Sequence, residues 1–454
     1  MVTERLTRTG PSIRSVSPRS WHASAMSARR AASVLSIAVT AALLVDNASA
    51  GAAGIKPVSP PNAYTVGNGL ARSSAHLQAV WATDCPPPSG RCATNSGPYM
   101  GVFWQRSKST GGWTTPMRVS PVHVHSARPA IAASGSDLYA AWVTQTRYIG
   151  YQPSAKRVLW LRVSTDEGNT WHPSLQLSGS QNRVDYPVLA ASGSSAWLVW
   201  TNANSGEIRM STTSDNGQNW YAKTIGTTTS GQGTGEGFRG FPSVGASGSN
   251  VAVVWVANNA GKQVTLLSSQ GGAEWQDTST PIVLTSGSPA DSSHYPAAHG
   301  ADDGLSERVA IAYTTNTGVD VNVFDGVVLA DARTVAGPWP DTAAGHRYVG
   351  AFGPAVAPSG TTDLSVAWAG CEDRSALADP CKSTSSLARI DLLERQSTND
   401  GASWSPTVAI GPNTTTARVN EAPSLVVDPQ GTRFIMWLRR MANWASYQVV
   451  MTTR

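Results

Sequence analysis

One phrase recurs along the chain and fixes most of what it can become: a proline, a run of small residues, a glycine turn, then an apolar strand ending in tryptophan. It reads PAIAASGSDLYAAW from Pro129 to Trp142, PVLAASGSSAWLVW from Pro187 to Trp200 and PSVGASGSNVAVVW from Pro242 to Trp255. Weaker copies run from Pro296 to Tyr313, Pro354 to Trp368 and Pro423 to Trp437, and one without the proline ends at Trp81. The seven copies end at 81, 142, 200, 255, 313, 368 and 437, a spacing of 55 to 69 residues. A period of that size, built of short β runs and turns, belongs to a propeller.

Each copy is followed by a loop and a third β run, as at Val102–Ser107, Val158–Ser164, Ile208–Ser214 and Val264–Ser269. A tight turn and a fourth run come next, as at Met117–Ser120, Leu175–Ser178, Lys223–Gly226, Ile282–Thr285 and Thr407–Ile410. The expected fold is therefore all-β, a seven-bladed propeller of four-stranded antiparallel blades. The low charged fraction of 14%, with 42 Gly and 28 Pro in 454 residues, agrees with a turn-rich β domain rather than a helical one. The last period reaches its third run at Tyr447–Thr453 and has no fourth. Residues 55–59 (IKPVS) resemble Met117–Ser120 and are expected to close blade seven, which removes the exposed edges.

A second motif sits in the turn between third and fourth runs. Ser164–Trp171 (STDEGNTW) and Thr213–Trp220 (TSDNGQNW) are full copies; Ser397–Trp404 (STNDGASW) has Asn in place of Asp; Ser268–Trp275 and Ser107–Trp113 are degraded. This resembles the Asp-box, or bacterial neuraminidase repeat, S/T-x-D-x-G-x-x-W. Its Asp accepts backbone amides of its own turn, its Gly supplies positive φ and its Trp packs between blades. Asp166 and Asp215 are thus expected to be scaffold, with all such turns on one face. The resemblance implies a sialidase-like propeller and offers the six-bladed form as the alternative fold. That scaffold hosts sialidases, other glycan hydrolases, glycan-binding modules and assembly factors.

The first fifty residues read as a leader. Arg29 and Arg30 precede an apolar run from Ala31 to Val45, then Ala48-Ser49-Ala50, the pattern of an export signal. Met26 is a second possible start, and a retained membrane anchor is the alternative. Residues 51–454 are then one propeller, secreted or periplasmic and without stable membrane insertion. Residues 1–50 carry six of the 34 basic and two of the 29 acidic residues, so the remainder is close to neutral at 28 and 27. That balance gives no case for nucleic acid; a monomer is expected. The cysteines fall in two local pairs, Cys85 with Cys92 and Cys371 with Cys381. Export predicts a disulfide within each pair. No His or Cys at metal spacing accompanies them, so no metal or cofactor is expected.

Antiparallel blades put strand 2–3 loops and inter-blade links on the face opposite the Asp boxes, and loops on a rigid scaffold carry function. Arginine stands in five of the six links: Arg128, Arg183, Arg239, Arg347 and Arg418. Converging guanidiniums hold a carboxylate or sulfate bidentately, and sialidases resemble this in gripping the sugar carboxylate with three arginines. The R-I/L-P motif is absent, so no triad is carried over. Asp185, Tyr186, Glu236, Asp291, Tyr295 and Glu421 share these links. Asp185 and Glu236 are the candidate catalytic carboxylates and Tyr295 the candidate nucleophile, as a retaining sialidase requires. His123-x-His125 lacks a third ligand; His294, His299 and His346 would suit acid–base chemistry on a uronate. Two functions follow: a sialidase-like glycosidase acting on an anionic sugar, or a non-catalytic propeller that binds glycans or a protein.

Overall fold

The computed structural model describes residues 55–59, 65–84, 100–145, 156–179, 183–228, 241–257, 263–269, 281–285, 296–301, 306–315, 317–326, 329–338, 340–343, 346–373, 389–411, 417–441 and 447–454. The leader at 1–50 lies outside them, as do Cys85, Cys92 and Cys381. Among the described residues no helix is long and apolar enough to cross a membrane.

Seven antiparallel four-stranded blades form, as the repeat predicts, and the six-bladed alternative falls away. The innermost strands are Thr65–Arg72, His125–Ser134, Val184–Ser192, Ser243–Ser247, Ala297–Gly300, His346–Ser359 and Ala417–Val427. Blades one to five are separate sheets. Blades six and seven join through one parallel bridge, Ile390 to Val419. A short strand, Asp341–Ala343, pairs with the start of the long inner strand of blade six, an addition the period does not show. In blade seven the fourth strand is Lys56–Pro57, which pairs Lys56 with Met451 and Pro57 with Val450.

The repeat exists because each second strand is buried on both sides. Trp81, Trp142, Trp200, Trp255, Tyr313, Trp368 and Trp437, the residues that mark the period, are all 2% exposed or less. Burying so large a ring removes 150–250 Å² from water per side chain. The contacts formed are between blades. Trp81 of blade one packs with Val426 and Met436 of blade seven, and Trp368 of blade six with Val319 and Val335 of blade five.

The turn motif adds a second set of inter-blade contacts. Ser164 Oγ donates to Asp166 Oδ1 at 2.8 Å, and the same oxygen receives the Thr170 amide at 2.8 Å; Thr170 Oγ1 donates to Oδ2 at 2.7 Å. Asp215 repeats this with Thr213 and Asn219. Asn399 keeps the frame by a reversal: its Oδ1 accepts from Ser397 and from the Ser403 amide, while its Nδ2 donates to Ser403 Oγ. These bonds hold the carboxyls of Asp166 and Asp215 below the usual carboxylate range, Asp215 at about 2. Two residues per turn, not one, take positive φ: Glu167 with Gly168, Asn216 with Gly217, Asp400 with Gly401. The motif Trp then reaches the preceding blade. Trp171 of blade two meets Trp104 of blade one edge-on at 5.6 Å, and Trp220 of blade three meets Tyr139 of blade two at 6.1 Å. Asp166 and Asp215 are bound up in their own turns, far from a role in chemistry.

Candidate functional site

The site is built at the start of each inner strand, on the face of the links. There the inner strand carries an extra residue. Register breaks fall between Val66 and Asn68, Ala127 and Ala130, Asp185 and Val188, Phe352 and Ala355, and Glu421 and Ser424. Such a bulge re-aims the side chain it carries. In these five blades the bulge holds a residue at positive φ, Gly67 (69°), Arg128 (53°), Tyr186 (49°), Gly353 (54°) and Ala422 (53°), and in blade four Phe241 (40°), just before the inner strand, takes the same backbone. Five of them precede proline. Left-handed backbone before proline is costly for a residue with a side chain, and here it recurs at one register around the ring.

The strand residues that follow these positions wall a cavity of about 210 Å³, lined by stretches such as Gly69–Arg72 and Pro129–Ala133. The guanidinium of Arg128 lies 4.3 Å above the ring of Tyr186 in the next blade, and Tyr186 meets Phe241 of the blade after that at 4.6 Å, edge to face. Cation–π and edge-to-face geometry each favour these distances.

Beside this stack is an ionic cluster. Asp185, with a fully buried side chain, forms an ion pair with Arg128 (Nε to Oδ1, 2.7 Å) and accepts a hydrogen bond from Arg157 Nη1 on Oδ2 at 2.5 Å. Arg157 opens the third strand of blade two, and its backbone forms a parallel bridge with Arg183. Arg183 is held at its own carbonyl by the Ala203 amide at 2.8 Å. Its guanidinium has its proton affinity lowered by burial, then by the charge of Arg157, and further by Arg128, against the opposing pull of Asp185. Two guanidiniums thus pair with one carboxylate, and Arg183 stands beside them through its backbone bridge to Arg157. Two of the predicted arginines meet here, Arg128 and Arg183; the third, Arg157, was not a candidate, because nothing local to it announces a partner 28 residues on.

The other side of the face has a different composition. In blade six, His346 Nδ1 lies 3.0 Å from Glu372 and Arg347 Nη1 2.8 Å from Asp373. Arg347 therefore stands with an acid of its own blade rather than in the cluster of blades two and three. Tyr348 donates to Asp391 at 2.6 Å, and burial, that bond and the charges of Asp391 and Glu372 all raise its phenol. In blade seven, Glu421 has the register of Asp185, one residue before the bulge. Burial raises its carboxyl, against the opposing effects of Arg440 and a hydrogen bond from Tyr447. Asn420, fully buried, accepts from Trp437 Nε1 at 2.8 Å and donates to the carbonyls of Ile390 and Gly411. Cys371 is disulfide-bonded. Glu236, Tyr295 and Arg239 lie outside the described residues, as does the side chain of Arg418. No group of three or more His, Cys, Asp or Glu that could hold a metal occurs among the described residues, His123 and His125 included.

No family model and no curated protein matches the chain. Among solved structures it is similar to a protein of unknown function from Dyadobacter fermentans, at 12% identity and TM-score 0.44, over 70% of this chain and 95% of that one. It is similar to the Trypanosoma rangeli sialidase in complex with sialic acid at 10% identity and TM-score 0.48, over 89% of this chain and 57% of that one. The NanB sialidase from Streptococcus pneumoniae gives 10% identity and TM-score 0.44, over 87% and 69%.

Proposed function

We propose that this protein is an exported propeller of the Asp-box, sialidase-like kind that takes an anionic sugar on its link face. The observation that carries the reading is the pairing of Arg128 and Arg157 with the single buried carboxylate of Asp185, beside Arg183, whose backbone bridges to that of Arg157. Guanidiniums gathered on one face favour an anion that presents oxygens in a plane. The adjoining rings of Tyr186 and Phe241 supply apolar surface for a sugar face.

Within that reading, binding is favoured over turnover at this cluster. Asp185 has no exposed side-chain surface and both its oxygens are in ion pairs, so it acts as the counter-ion that aims Arg128 and Arg157 rather than as a proton donor. Hydrolysis would fall to Glu236 as acid–base and Tyr295 as nucleophile. A soluble monomer whose ligand is a glycan or glycoconjugate, and not nucleic acid, fits the near-neutral balance of residues 51–454.

Calorimetric titration with a sialoside and with uronate oligosaccharides, each also followed for product, tests the reading. Arg183→Ala should weaken an acidic sugar by about 1.5–3 kcal/mol, tenfold or more, and leave a neutral sugar unaffected. Product formation abolished by Glu236→Gln or Tyr295→Phe establishes the enzyme; binding without product establishes the lectin-like form. Failure of every acidic sugar to bind refutes both.

A further inference from the structure

Along its axis the ring encloses two cavities that meet at one level. The cavity nearer the links, of about 210 Å³, is walled by the innermost strands of blades one to five and by Ser424 of blade seven. The other, of about 450 Å³, lies among the turns in which those strands end. Four residues belong to both walls: Arg72, Ala133, Ala191 and Ala246. The repeat explains why they share a level. Arg72 stands nine residues before Trp81, as Ala133 does before Trp142, Ala191 before Trp200 and Ala246 before Trp255. The hairpin register agrees, pairing Arg72 with Leu77, Ala133 with Leu138, Ala191 with Ala196 and Ala246 with Val251. Counting from the prolines of the three remaining copies gives Gly300, Pro358 and Val427 at the same level. Around it the seven blades therefore present six uncharged residues and one guanidinium, in the one copy of the phrase that departs from alanine, glycine or an apolar residue there.

We infer that Arg72 makes the axial cavity a binding site for a small inorganic oxyanion of the phosphate or sulfate class. Arg72 is half-buried, and among the described residues it stands in no ion pair. A guanidinium drawn away from bulk water favours a counter-charge, and its fork takes two oxygens of one ion. Ser134 and Ser192, one residue past this level in the next two blades, bring hydroxyl donors to the same wall. Their equivalents Ser73 and Ser247 are occupied in the fold: Ser73 Oγ donates to the His76 carbonyl at 3.0 Å and Ser247 Oγ to the Ser306 carbonyl at 2.8 Å. Two other ionisable residues line the cavities. His299 belongs only to the wall nearer the links, and Glu307 only to the other, where its Oε2 accepts from Ser249 Oγ at 3.2 Å. The site is distinct from the arginines of the link face, since Ala133 lies about 15 Å along the inner strand from Arg128. An ion held here joins the inner strands of blades one, two and three, and it stabilises the closed ring in proportion to its concentration.

Calorimetric titration with inorganic phosphate and with sulfate, at fixed ionic strength, tests the site on the full protein. Arg72→Ala installs the residue that blades two, three and four already carry at this level, so it should melt with the ion-free parent. At least one of the two ions should bind the parent at one site per chain. Arg72→Ala should weaken that binding about tenfold or more, and Arg183→Ala, on the link face, should leave it unchanged. Labelling of arginines with phenylglyoxal, read by peptide mapping, needs no variant and keeps the test open if Arg72→Ala does not fold. The ion should slow the modification of Arg72 and leave that of the exposed Arg333 as it was. Equal affinity in the parent and Arg72→Ala, loss of binding in Arg183→Ala, Arg72 labelled at the same rate with and without the ion, or no binding of either ion overturns the inference.

Discussion

Two glycines of blade two separate backbone strain from blade packing. Gly135 and Gly168 both have positive φ, 58° and 83°, and both lie in turns on the face opposite the links. An added Cβ at Gly135 meets nothing within 4 Å. At Gly168 it would lie 2.3 Å from Cζ2 and 2.5 Å from Cη2 of Trp104, in blade one. Gly135→Ala should cost only the left-handed backbone term, about 1–2 kcal/mol. Gly168→Ala should cost that and the displacement of a tryptophan already packed against Trp171, a further ~1–3 kcal/mol. Urea unfolding reads both, since a lower midpoint at constant slope is a loss of stability alone. Relieving the clash with Trp104→Leu should make the double variant less unstable than the sum of its parts, by on the order of 1 kcal/mol. Equal losses at the two glycines, or strict additivity with Trp104→Leu, would refute the idea that the turn motif acts by docking on the preceding blade.

Three further outcomes are expected. Burial lowers His125 to about 4 from an ordinary value near 6.5, so the folded state binds fewer protons than the unfolded one between these values. Its contribution is complete above about 6.5 and lost as pH falls toward 4; urea midpoints should decline over that window, and His125→Gln should flatten the decline. Deleting residues 51–60 removes the strand that pairs with Val450 and Met451 and the amide of Val58 that donates to Val449; a truncated protein that melts with the parent would contradict the closure. Peptide mapping without reduction should give Cys371–Cys381 and Cys85–Cys92, and a free thiol in the unfolded, unreduced protein would contradict it.

The ring was legible because its cause is periodic. Seven aromatic residues must each be buried between neighbouring blades, and that demand repeats every 55–69 residues in the sequence. The turn motif was legible for a similar reason, with its Asp, Gly and Trp each required by one local bond, angle or contact. The site was less so. Arg128 and Arg183 stand in the predicted links, but the carboxylate they surround also takes Arg157, which arrives from a different strand. Bulges escape a pattern of alternating residues because they break it. The left-handed residues before proline look like strand residues in the sequence, and five of six carry no mark that sets them apart from their neighbours apart from the proline itself. The His346–Glu372 and Tyr348–Asp391 pairs span 26 and 43 residues, distances over which one sequence gives no pairing signal.

Blade seven takes three strands from the end of the chain and one from residues 56–57. Of the described segments, the first to leave the ribosome is therefore bonded to the last. No amount of local folding along the chain can finish the ring before Tyr447–Thr453 has been made. The same fastening makes the two ends equivalent in damage. Loss of the strand at 56–57 or of the strand at 447–453 opens the ring at one seam, between the same pair of neighbours.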